Sequence, residues 1–111
     1  MKVLRLTRHE AEPKQVADLK RLFGENVEIV MVSEKVLDVE RVKELVVEHG
    51  ADIIEIVLPL PIVAELTRPD TEFKIPILRA ITKREFVGDQ VSFPFQHYER
   101  IIRVEVVSER L

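Results

Sequence analysis

The chain has 111 residues, a formal net charge of −3 and no cysteine. That length holds one domain on a single core, and the missing cysteines exclude disulfides, thiolate metal sites and a cysteine nucleophile. Acids and bases alternate along most of the chain, so no basic field exists to displace counterions from a nucleic-acid backbone, and generic nucleic-acid binding is not expected.

Hydrophobic residues make up 46% and charged residues 33% of the chain, the balance of a folded domain. No apolar run approaches the ~18 residues of a membrane span, and "MKVLRL" lacks the apolar stretch and cleavage site of a signal peptide. The reading is a cytoplasmic protein without membrane contact. Asn26 is the sole asparagine, and Glu, Arg, Lys and Val are abundant, a composition that leans towards a heat-adapted source.

Lys2 to Thr7 has strand composition, and Pro13 to Phe23 places Val16, Leu19, Leu22 and Phe23 at helical spacing before Gly24 stops the helix. Val27 to Val32 is a second β-branched strand. Asp38 is an N-cap for a helix carrying Val39, Val42, Leu45 and Val46 on one side, with Gly50 at its end. Ala51 to Leu58 is the most strand-like segment, and Pro61 suits the first turn of a short helix through Leu66. After the polar link Thr67 to Lys74, Ile75 to about Phe86 reads as a fourth strand. Gly88 and Asp89 mark a turn, and "HYERIIRVEVVSERL" is strand-like with no helix before it.

Strands alternating with helices of this length imply parallel pairing through right-handed crossovers. The expected fold is a small three-layer α/β sandwich, Rossmann-like or flavodoxin-like, with sheet order 2-1-3-4. Residues 1–111 form one domain, and residues 87–111 supply a C-terminal hairpin and an antiparallel edge strand. Arg5, Glu28, Glu55 and Arg79 each place one charge inside a strand; in that order their signs alternate, which suggests a cross-strand ion ladder setting the register.

In such a sheet, ligands bind beyond the carboxyl ends of the strands, where adjacent crossovers leave in opposite directions. Here that crevice falls between strands one and three. It brings Thr7, Arg8, His9 and Glu10 together with Pro59, Leu60 and Pro61. Ser33, Glu34 and Lys35 after strand two, and Thr82, Lys83 and Arg84 on strand four, stand at its margins. His9 can change charge near neutral pH and is the candidate catalytic residue; Arg8, Lys83 and Arg84 suit a phosphate or carboxylate. Thr7, Glu10 and Ser33 complete the candidate ligand-binding set. The plainer alternative for this knot is an ordinary polar loop.

Gly24 and Gly50 follow helices and Gly88 sits in a turn, leaving no glycine for a dinucleotide fingerprint or a phosphate loop. No cofactor is expected. His9, His49 and His97 are too far apart in sequence to suggest a metal site, and Ser33, His9 and Asp38 lack the nucleophile elbow of a serine hydrolase.

The strand followed by "TRHEAE" resembles the strand-Arg-His-Gly-Glu opening of the histidine phosphatase superfamily, in which the histidine is the phosphorylated nucleophile. Arg8 and His9 match that pattern. Glu10 stands in place of its glycine, Ala11 in place of its acidic residue, and the likeness does not extend along the chain.

Four of the six aromatic residues, Phe86, Phe93, Phe95 and Tyr98, cluster late in the chain. They either pack against their own sheet or anchor a subunit contact. A homodimer through Phe93, Phe95 and Tyr98 is expected, because dimerisation closes an exposed edge strand. The leading functional reading is a sensor or regulatory module for a small anionic ligand, similar at fold level to stand-alone sensors of this architecture. Next comes a phosphoester-acting enzyme using His9, with Arg8 and Arg84 stabilising developing charge. The last is a purely structural homo-oligomeric protein.

Overall fold

A computed structural model describes residues 1–111. The elements are β1 (Lys2–Leu6), α1 (Pro13–Phe23), β2 (Glu28–Val32), α2 (Val39–His49), β3 (Ile53–Ile56), α3 (Leu60–Leu66), β4 (Ile77–Thr82), β5 (Glu85–Val87), β6 (Gln90–Ser92) and β7 (Phe95–Arg100). The main sheet runs β2-β1-β3-β4-β7; its first four strands are parallel, and β7 is antiparallel to β4 at the edge. The fold class and strand order match the sequence reading.

Local chemistry places the helices. The side chain of Gln15 accepts a 2.9 Å hydrogen bond from the Glu12 N–H at the start of α1, satisfying a donor the helix cannot. Asp38 accepts from the Arg41 N–H at 2.8 Å to cap α2. Gly50 ends α2 at φ 61°, a left-handed position where a side chain is strained.

Alternation along the strands divides the core in two. Leu4, Leu6, Ile54, Ile56 and Ile77 face α2 and α3, meeting Val42, Leu45, Val63 and Leu66 in the larger cluster. Val3, Ile53 and Leu78 face the opposite way and pack with Leu19 of α1. Helices therefore cover both faces of one sheet, α1 alone on one side and α2 with α3 on the other.

The face beneath α1 also holds a buried polar group. Arg5 and Glu55 lie directly opposite each other in the β1–β3 register, and both are 3% exposed. The guanidinium donates to the two carboxylate oxygens at 3.0 and 3.1 Å, to the His9 carbonyl at 2.8 Å and to Gln15 Oε1 at 3.4 Å. Tyr98 on β7 donates its hydroxyl to Glu55 Oε1 at 2.7 Å. Nearly every polar valence of the pair is satisfied, the condition under which a buried ion pair is tolerated.

The expected ladder is realised only at this pair. Glu28 lies opposite Lys2 rather than Arg5, on the other face of the sheet, and makes a 3.8 Å contact with Lys2. Leu78, not Arg79, lies opposite Glu55. Arg79 therefore points to the opposite face and pairs with Glu99 of β7 at 3.1 Å. A single-residue offset flips a side chain across the sheet, and offsets are not written in hydropathy.

The fourth strand is also shorter than its composition suggests. The β4–β7 register shifts between Ile81 and Thr82, and the Lys83 N–H turns to the Pro94 carbonyl at 3.1 Å. Residues 85–92 then form their own two-stranded sheet, β5–β6, about Gly88 at φ 62°. Residues 101–111 follow β7 without regular structure.

Two outcomes test this core. Glu55→Leu leaves the Arg5 guanidinium buried without its carboxylate and lowers the unfolding free energy by about 3–5 kcal/mol in urea titration, whereas Arg5→Met with Glu55→Leu recovers most of the loss. A cost below about 1 kcal/mol for Glu55→Leu would contradict the buried pair.

Burial and the hydrogen bond to Glu55 raise the pKa of Tyr98 far above its ordinary value of 10.0. The native phenol thus stays neutral where the unfolded one ionises, so its contribution to stability is complete below about pH 10 and is lost as the pH climbs beyond. Tyr98 is the only tyrosine, so ultraviolet tyrosinate absorbance reads it alone. Absorbance should rise in one cooperative step with unfolding; free titration near pH 10 in the folded state would contradict the burial.

Candidate functional site

A crevice of about 340 Å³ opens at the carboxyl ends of β1, β2 and β3. From the end of β1 and the loop after it come Leu6, Thr7, Arg8 and His9; from the link after β2 come Glu34, Lys35, Val36 and Leu37; from the link after β3 come Val57, Leu58 and Pro59. It lies where the chain leaves β1 for α1 on one face and β3 for α3 on the other, the topological switch point of the sheet.

The β1 loop is held from beneath. Arg5 donates to the His9 carbonyl, and Thr7 Oγ1 accepts from the His9 N–H at 3.3 Å. These bonds fold the backbone back on itself and leave the side chains of Arg8, His9 and Glu10 exposed. The buried pair below the sheet thus sets the position of the rim above it.

The charges at the rim are unevenly paired. Glu34, the sole carboxylate of the lining, receives two hydrogen bonds from Arg41 at 2.6 and 2.7 Å. The Arg41 guanidinium holds the Glu34 carboxyl below the usual carboxylate range and also reaches Glu44 and Glu48. Arg8 and Lys35, in contrast, enter no ion pair. Two unpaired cations and an imidazole therefore stand over apolar walls supplied by Leu6, Val36 and Leu58, with a volume at the small end of metabolite pockets.

Of the residues expected from sequence, Thr7, Arg8, His9, Glu34, Lys35 and Pro59 line the crevice together. Glu10, Ser33, Lys83 and Arg84 are not part of its lining. Lys83 and Arg84 fall in the link between β4 and β5, where the Arg84 guanidinium stacks 4.9 Å from the centre of the Phe86 ring. Val36, Leu37, Val57 and Leu58 were not singled out as site residues: Val57 and Leu58 read as the end of the third strand, and Val36 and Leu37 follow the polar run Ser33–Lys35 with no signal of their own.

The histidines stay apart. His97 lies on β7 and contacts Glu99 at 3.3 Å, while the His9 ring has no hydrogen-bond partner within the chain. No three His, Asp or Glu side chains gather in a way that could hold a metal ion. The aromatic segment divides: Phe86 and Phe93 are exposed, while Phe95 is buried and packs 5.0 Å from Tyr98, whose hydroxyl is bound to Glu55. Phe93 alone of the three expected subunit anchors is largely exposed, at 59%. No helix is long and apolar enough to cross a membrane.

Comparison with protein-family models, curated proteins and solved structures finds no match. Fold and crevice together define a doubly wound α/β domain with a small cationic cleft at its switch point.

Proposed function

We propose that this domain binds a small phosphate- or carboxylate-bearing ligand at the carboxyl ends of β1, β2 and β3, as a Rossmann-like sensor or regulatory module. One observation carries the reading: Arg8 and Lys35 are free of ion pairs at a crevice whose only carboxylate, Glu34, is occupied by Arg41. An anion placed there gains charge-assisted hydrogen bonds from both cations without displacing an existing partner. The apolar walls suit the carbon skeleton of a small metabolite.

Phosphoester chemistry at His9 is the second reading, supported by the adjacency of Arg8 and His9 on the crevice rim. A nucleophile or general base is ordinarily oriented by a further hydrogen-bonded group, and the His9 ring has none. Binding therefore ranks ahead of turnover.

Thermal shift against inorganic phosphate and a panel of phosphorylated and carboxylated metabolites tests the proposal. A ligand present at about a hundred times its Kd stabilises the fold by about 2.7 kcal/mol, a shift of several degrees. The wild type should shift, and Arg8→Ala with His9→Ala should melt as the wild type does without ligand but no longer respond. Arg41→Ala, which releases the Glu34 carboxylate at the rim, should weaken the response. No shift in the wild type with any compound, or an equal shift in the double variant, would overturn the proposal.

A further inference from the structure

Beyond β7 the segment "IIRVEVV", Ile101–Val107, has the composition of a strand: every residue except Arg103 and Glu105 is β-branched and apolar. It nonetheless belongs to no ladder. Among residues 101–111 only two main-chain N–H groups find partners, Ile101 on the Ile77 carbonyl at 2.8 Å and Val104 on Thr67 Oγ1 at 2.9 Å. Ile101 and Val104 rest against the larger core cluster, while Ile102 and Val107 are 74% and 85% exposed. An apolar, strand-forming segment with free main-chain groups is a template for pairing, and folded proteins cover it.

The order of residues identifies what covers it. About Val104 the segment is palindromic in chemical class: Ile101 corresponds to Val107, Ile102 to Val106 and Arg103 to Glu105. Two copies laid antiparallel about a two-fold axis at Val104 oppose apolar residues to apolar ones and each Arg103 to a Glu105, all favourable cross-strand pairs. An in-register parallel pair would oppose Arg103 to Arg103 and Glu105 to Glu105, which is unfavourable. Within one copy Arg103 and Glu105 stand 3.3 Å apart on the same side of the chain, as alternate residues of extended backbone do. The Ile101 and Val104 N–H groups both turn inward, to Ile77 and Thr67, so the backbone is not regularly extended between them; around Val104, with its N–H turned in, the main-chain groups of its neighbours Arg103 and Glu105 are turned outward. Arg103 and Glu105 then form the hydrogen-bonded pairs, and the two copies of Val104 the closer non-hydrogen-bonded pair, with Cα atoms about 4.5 Å apart.

We infer that Ile102–Val106 pairs antiparallel with the same segment of a second copy of this chain, each Arg103 facing Glu105 of the other copy about a two-fold axis at Val104. The contact is isologous, so it closes at a dimer. It moves the subunit contact expected of Phe95 and Tyr98, which are engaged within the protomer, to the tail that follows them. It is independent of the anion-binding reading.

Light scattering after gel filtration tests the association. The wild type should have twice the 12.9 kDa mass of the chain, and Arg103→Glu and Glu105→Arg should each fall to one chain mass, because each opposes like charges in the self-pair. Their equimolar mixture should regain the doubled mass. Neither variant retains an intrachain Arg103–Glu105 pair, so only pairing between copies restores it. The chain has no native cysteine, so Val104→Cys should cross-link to itself under mild oxidation, its Cα separation being within disulfide range. Ile102→Cys, about 14 Å from its own counterpart, should not. A wild type of one chain mass, single charge variants that stay dimeric, or a mixture that stays monomeric would overturn the inference; a dimer in which Val104→Cys fails to cross-link would overturn its register.

Discussion

The buried ion pair between Arg5 and Glu55 is the constraint on which the rest of the structure depends. Taking two charges out of water costs several kcal/mol per ion, and only close, fully hydrogen-bonded geometry offsets it. Here that geometry requires β1 and β3 in one register, α1 docked so that Gln15 reaches the guanidinium, β7 placed so that Tyr98 reaches the carboxylate, and the loop after β1 folded so that the His9 carbonyl faces Arg5. A slip of one residue would send Arg5 to the α2–α3 face. The pair couples sheet register to the position of the crevice rim, so a core interaction supports the candidate binding surface.

Strand order was legible because β-branched runs alternate with helices bounded by Pro13, Gly24, Asp38 and Gly50, and right-handed crossovers leave few ways to connect them. Pairing offsets were not. Each of Arg5, Glu28, Glu55 and Arg79 is visibly a charge inside a strand, yet which of them meet depends on where each strand begins, and Lys2 and Glu99 became partners instead. The break after Thr82 falls at the polar run Thr82–Glu85, which the sequence reading carries through as strand to about Phe86; the register shift against β7 ends the ladder there.

The same division holds for the candidate site. Thr7, Arg8, His9 and Lys35 could be found because a topological rule points to the ends of the central strands. Glu34 was placed at the margin of the crevice by the same rule, but its capture by Arg41 depends on how α2 docks, seven residues further along. Of the apolar walls, Val57 and Leu58 read as the end of the third strand. Lys83 and Arg84 were drawn towards the crevice by a fourth strand read as continuous; with β4 ending at Thr82 they belong to the hairpin link. That hairpin and the tail also account for a radius of gyration of 15.4 Å, against about 13 Å for a compact chain of similar length. Residues outside the sandwich are thus a substantial feature of this fold.

The measurement that tests the central claim most directly is an amide chemical-shift titration with inorganic phosphate at constant ionic strength. The account predicts saturable shifts confined to Thr7–His9, Lys35–Leu37 and Val57–Leu58, with Lys83, Arg84 and Arg100 unmoved. Shifts centred on those other cations, or spread over the surface and rising without saturation, would contradict it.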